Sequence, residues 1–119
     1  MKNQAAIRER YLRDPLPVRL GGLAANLARV KSFSNHPKHS AIVEGLIDES
    51  KYFVEWAAPD AEVDRQAELV AMQVQLALWQ LNWSKIWSDP AARALVADQA
   101  EEWSDQVLAM SGLLDQATS

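Results

Sequence analysis

The residues of this chain best suited by type to chemistry are two histidines and the oxygen-bearing side chains behind them. His36 and His39 stand three apart, with Glu44 and Asp48 a short way on. Two imidazoles and a carboxylate form a donor set for a divalent metal. Pro37 lies between the histidines, however, and no His-Glu-x-x-His or comparable run follows. The pattern reads as a capped turn between helices, and neither a metal nor a cofactor site is expected. Arg29 and His36 are separated by six residues, a spacing compatible with a loose Arg…His pattern found in some helical RNA-cleaving domains. There the arginine would stabilise phosphate charge and the histidine would transfer a proton. With seven arginines in the chain the spacing arises easily by chance, so RNA cleavage stands as an alternative and no family resemblance follows. Ser34 or Ser40 with His36, His39 and Asp48 supplies the ingredients of a hydrolase without its arrangement, and helix capping is the ordinary use of such serines. Glu44, Asp48, Glu49, Glu55 and Glu68 fall at helical spacings, where carboxylates ordinarily form a solvated face. No catalytic residue is assigned.

Five tryptophans, Trp56, Trp79, Trp83, Trp87 and Trp103, are many for 119 residues. Aromatics at helical spacing build a core, anchor a protein interface or line a pocket for a small apolar ligand.

The chain is long enough for one domain with a core of its own, without disulfides. Its lack of cysteine excludes thiol catalysis and cysteine-ligated metal centres. Met1 to Arg10 is polar and is not followed by an apolar block, and no run is apolar enough to span a bilayer. Membrane insertion is therefore not expected, and the cytoplasm is the default location. The net charge of −4 hides a division: residues 1–38 carry eight Lys or Arg against two acids, whereas residues 39–119 carry four against fourteen. Such a basic front next to an acidic remainder is read as complementarity within the molecule or between copies. Nucleic acid is not an expected partner, because no aromatic-basic interleaving or zinc-finger spacing occurs.

The elements follow from apolar spacing and breaks. Residues 1–16 read as an N-terminal extension with a short helix over Ala5 to Leu12, ended by Asp14-Pro15-Leu16-Pro17. A helix then runs from Val18 to Ser34 with Leu20, Leu23, Leu27 and Val30 inward and Gly21-Gly22 suited to close approach of another backbone. After the polar break at 34–40, a helix runs from near Pro37 to Trp56 or Ala57, with Ile42, Leu46, Phe53 and Ala57 on its expected buried face and Val43, Ile47 and Val54 broadening it. Asp60 is the expected cap of the next helix, which reaches towards Trp87 with an early stop at Asn82 to Lys85. Ser88-Asp89-Pro90 restarts the chain into a last helix that ends near Gly112. Residues 115–119 read as a loose tail. The expected fold is all-α, an antiparallel four-helix bundle in one domain over residues 1–119.

The helix from Asp60 organises this reading because it is apolar on two sides. At about 100° per residue, Val63, Ala67, Val70, Val74, Ala77, Leu78 and Leu81 share one side, and Leu69, Met72, Leu76, Trp79, Trp83 and Trp87 share the opposite one. Polar seams separate them, Asp64, Glu68, Gln75 and Asn82 on one flank and Gln66, Gln73, Gln80 and Ser84 on the other. A peripheral helix in a monomer needs one apolar face. The second face is assigned to a homo-oligomer or another protein partner, with Leu69, Met72, Leu76, Trp79, Trp83 and Trp87 as the candidate interface. Folding back of Ile7, Tyr11 and Leu12 over the tryptophans is the competing solution. The expected function is thus a non-enzymatic homodimeric interaction protein, with a small-molecule-binding regulatory domain as the alternative.

Overall fold

Helix ends in this chain are set by prolines and caps. The computed structural model describes residues 3–113 and is helical throughout, with no strand among them. Helix α1 (Gln4–Arg13) starts where the Asn3 side chain accepts from the amide of Ala6, and it stops before Pro15. Pro17 falls in the first turn of α2 (Leu16–Phe33), where a missing N–H costs nothing. A single 3₁₀ turn, Pro37–His39, leads into α3 (Ser40–Ala57), and a second, Ala58–Asp60, leads out of it. Helix α4 (Val63–Leu81) breaks at Asn82, α5 (Trp83–Ser88) continues for six residues, and α6 (Pro90–Ser111) opens on an Asp89 cap. Gly112 closes α6 at φ 74°, a left-handed conformation natural to glycine. The bend or early stop expected around Asn82 to Lys85 falls at Asn82. The loose tail expected at 115–119 lies outside the described residues.

One apolar core joins all six helices. Helix α2 lies at its centre, packed on both α3 and α6, and α3 in turn carries α4. Leu20, Leu23, Leu27 and Val30 are sealed from solvent, as their spacing predicts. On α3 the buried face is Val43, Ile47, Ser50, Val54 and Ala57, while Ile42 is 48% exposed. The buried part is thus the Val43, Ile47 and Val54 side of the expected face, with Leu46 and Phe53 half-buried at its edge. Ser50, sealed in the middle of this side, is the member that apolar spacing does not predict. Gly21 meets a side chain rather than the expected backbone, since a Cβ there would come within 2.9 Å of the Leu113 methyl.

A buried arginine fixes the corner from which α4 departs. Arg19, 6% exposed, donates Nε to the Asp14 carbonyl at 3.0 Å and Nη1 to the Trp56 carbonyl at 3.2 Å, and it pairs with Asp60 at 2.9 Å. Asp60 is consequently not the cap of α4; it lies in the 3₁₀ turn, and Glu62 precedes the helix without a side-chain cap. Tyr11 completes the corner by donating its hydroxyl to the Arg19 carbonyl at 2.7 Å and stacking on Phe53. Burial pushes the Tyr11 phenol far above its ordinary pKa, with Arg19 pulling weakly the other way.

Candidate functional site

The groups that by type could do chemistry are engaged in holding turns and helix contacts. His36 caps the 3₁₀ turn by accepting the Lys38 amide at 3.2 Å, and His39 Nδ1 lies 3.2 Å from the Phe33 carbonyl. Arg29 donates to Asn26, and Asn26 donates to Glu49, at 3.0 and 2.9 Å. Asp48 accepts from Gln80 at 2.9 Å and lies beside Lys51. Glu68 faces Arg65 at 3.3 Å, while Glu44 and Glu55 are exposed. Ser34 bonds back to the Val30 carbonyl, and Ser40 accepts the indole N–H of Trp83. Arg29 and His36 line none of the three clefts described for the molecule. Among the described residues no three His, Asp or Glu side chains converge as a metal site. No described helix is long and apolar enough to cross a membrane.

Helix α4 differs from these groups in that its four flanks have four different surroundings. The tryptophan side, which spacing offers as the interface, is filled from within the chain: Leu69, Met72, Leu76, Trp79, Trp83 and Trp87 are at most 9% exposed. Trp79 stacks on Trp103 of α6 with ring centroids 5.0 Å apart. Trp83 and Trp87 donate their indole N–H groups to Ser40 Oγ and the Pro37 carbonyl, at 3.2 and 2.7 Å. The cover is not the N-terminal segment, since Tyr11 packs on Phe53 and Trp56 of α3. The Gln66, Gln73 and Gln80 flank is tied down as well. Gln73 donates to the Lys51 carbonyl and Gln80 to Asp48, both on α3, and Gln66 donates to the Ala61 carbonyl.

The other two flanks are open. On the outward side Val63, Val70, Val74, Leu78 and Leu81 are 78, 47, 56, 46 and 81% exposed, and Ala67 and Ala77 are exposed between them. From Leu69 to Ser84 the sequence has no charged residue. Within this stripe Val63, Ala67, Val70, Val74, Ala77 and Leu81 alternate steps of four and three, the spacing of a coiled-coil seam. The residue types explain which stripe faces out. Met72 and the tryptophans fill the interior with Leu69 and Leu76, while the valines and alanines, which have less to gain from burial, are left at the surface together with Leu78 and Leu81.

On the remaining flank Glu68 and Gln75 do not reach α6. Between α4 and α6 lies a cleft of about 790 Å³, floored by Trp79, Trp103, Met72 and Val96 and rimmed by Gln75, Gln99 and Gln106. Leu95 is 69% exposed at its edge. Of the cleft's lining residues only Glu68 is ionisable. No family model, curated protein or solved structure matches this chain.

Proposed function

We propose that this chain is a non-enzymatic interaction protein that works as a homodimer, joined to its copy through the outer face of α4. In this reading α2, α3, α4 and α6 form an antiparallel four-helix bundle, because connections of a few residues leave consecutive helices no room to run the same way. The observation that carries the proposal is the self-complementarity of the exposed seam. Laid antiparallel against a second α4 about an axis level with Met72, the six seam positions pair only with one another: Val63 with Leu81, Ala67 with Ala77, and Val70 with Val74. A twofold interface requires this property, since each residue must accept its partner in both directions. The alanine layers allow close approach of the helices, and no charge on the seam is brought against its own copy. The alternatives with chemistry are less well supported, because the histidines, Arg29 and Asp48 already hold turns and helix contacts.

Sedimentation equilibrium is the direct test. The expected result is a concentration-dependent monomer–dimer equilibrium, shifted to folded monomer by Val70→Glu or Val74→Glu. Both side chains are about half exposed in one chain, so either change costs an isolated chain about 0.5 kcal/mol or less, whereas an unpaired carboxylate buried in the interface costs several. The register is tested separately in a chain free of cysteine. Ala67→Cys mixed with Ala77→Cys should give a disulfide-linked heterodimer on oxidation, while each variant alone should not crosslink. A monomer at all concentrations, or crosslinking of Ala67→Cys with itself, refutes the proposed dimer.

A further inference from the structure

The cleft between α4 and α6 carries an inference independent of self-association, because its floor holds two donors without acceptors. A buried tryptophan ordinarily finds a partner for its indole N–H, and Trp83 and Trp87 do. Trp79 and Trp103 are 7 and 9% exposed and both line the cleft, yet neither N–H meets an acceptor among the described residues. Ser50 Oγ is the single described side-chain polar atom both sealed from solvent and unpartnered, so the two indole nitrogens still reach solvent. The cleft is the opening that both rings line. Trp56 also lacks an acceptor, but it lines a separate, smaller cleft of about 140 Å³.

We propose that this cleft is a binding site for an uncharged, flat aromatic molecule bearing a carbonyl or similar acceptor. Its volume of about 790 Å³ falls within the range of about 300–1,000 Å³ usual for small-molecule sites. Two indoles offer stacking surface, and the unbranched side chain of Met72 adapts to the shape of what binds. The acceptor takes the place of the solvent that the indole N–H groups reach, so that neither donor is stranded when the cleft fills. The absence of net charge follows from the walls: no lining residue is basic, so an anion has no counter-ion. The one acid, Glu68, is already engaged by Arg65. Gln75, Gln99 and Gln106 at the rim each present both a donor and an acceptor, which suits a polar edge turned outward.

The test uses 9-fluorenone, a flat neutral ketone, titrated into uniformly ¹⁵N-labelled protein while the five indole N–H resonances are followed. Trp→Phe substitutions assign them, and Trp79 and Trp103 should move saturably while Trp83 and Trp87 stay in place. Fluorene, the same shape without the carbonyl, should bind about threefold to tenfold more weakly, as expected for a lost hydrogen bond. 9-Oxofluorene-2-carboxylate should bind more weakly than the neutral ketone. Ala92→Trp, which fills the cleft from the first turn of α6, should abolish the shifts while leaving the circular dichroism melt intact. Indole resonances unmoved up to the solubility limit of fluorenone overturn the proposal. So do equal affinities for fluorene and fluorenone, or shifts that persist in a folded Ala92→Trp protein.

Discussion

Replacing Arg19 by alanine should cost the fold about 3–5 kcal/mol, from stranded carbonyl groups and lost packing of its stem rather than from a lost ion pair. The reasoning is specific about which partner matters. Asp60 is 56% exposed in its side chain although its arginine is 7% exposed, so its carboxylate regains water when the pair is lost. An ion pair of that kind is worth about 1 kcal/mol or less. The Trp56 carbonyl is different, because its bond to Arg19 is buried and lies at the end of α3, where carbonyl groups lack helical partners. Leaving it without a donor costs about 1–3 kcal/mol, to which the lost bond to the Asp14 carbonyl and the lost packing of the arginine stem add. Asp60→Asn should therefore cost less than about 1 kcal/mol. The Arg19→Ala, Asp60→Asn double-mutant cycle should yield a coupling of similarly small size. Urea unfolding of the four proteins measures all three quantities. If Asp60→Asn proves as damaging as Arg19→Ala, and the coupling accounts for nearly the whole loss, then the ion pair holds this corner and the argument from carbonyls fails.

Ser50→Ala should stabilise the protein by about 1 kcal/mol, because its hydroxyl is fully buried without a partner and carries a desolvation cost that alanine lacks; a lowered urea midpoint would show that the hydroxyl is satisfied in solution. Tyr11 should make stability fall at alkaline pH. Its folded pKa is raised by burial, so the unfolded chain loses the phenolic proton first, above its ordinary value of about 10. The folded state then holds the extra proton, and stability declines by up to about 1.4 kcal/mol per pH unit. Tyr11→Phe should remove that slope above about pH 10, and below it should lower stability by a constant amount, the loss of the buried bond to the Arg19 carbonyl.

Helix boundaries were legible because they depend on local chemistry. Pro17, Pro90, Asp89 and Gly112 each do in the fold what their backbone preferences dictate. Rotation of a helix about its axis was less so. The apolar face of α3 was broad enough to leave open which edge is buried, and the exposed Ile42 and sealed Ser50 depend on neighbours distant in sequence; Asp60 left the capping role for a buried arginine that local spacing cannot reveal. On α4 the two apolar stripes have the same period, and period alone does not say which is covered. Side-chain volume was the signal available: each stripe holds two leucines of α4, but the one with Met72 and the tryptophans gains more from burial than the one whose other members are valine and alanine. The cleft had no sequence signature at all. It arises from the spacing of α4 and α6, which the packing of both helices on the α2–α3 pair determines.

Because α4 is shared by the seam and the cleft, the two proposed activities cannot be assumed independent. Met72 lies level with the proposed twofold axis and also floors the cleft, and Ala71, exposed beside the seam, lines it too. A ligand that shifted or tilted α4 would alter the register of six seam positions at once, since they lie on one rigid helix. A ligand that only filled existing space would change none of them. Thermodynamic linkage makes the distinction measurable: whatever factor the ligand applies to the dimerisation constant, dimerisation must apply to ligand affinity. Fluorenone affinity for the Val74→Glu monomer should therefore equal that for the wild-type dimer if the cleft is preformed, as its open, already floored geometry implies. A difference of tenfold would correspond to about 1.4 kcal/mol of coupling, and would mean that α4 moves on binding, with the coiled-coil seam reporting the state of the cleft.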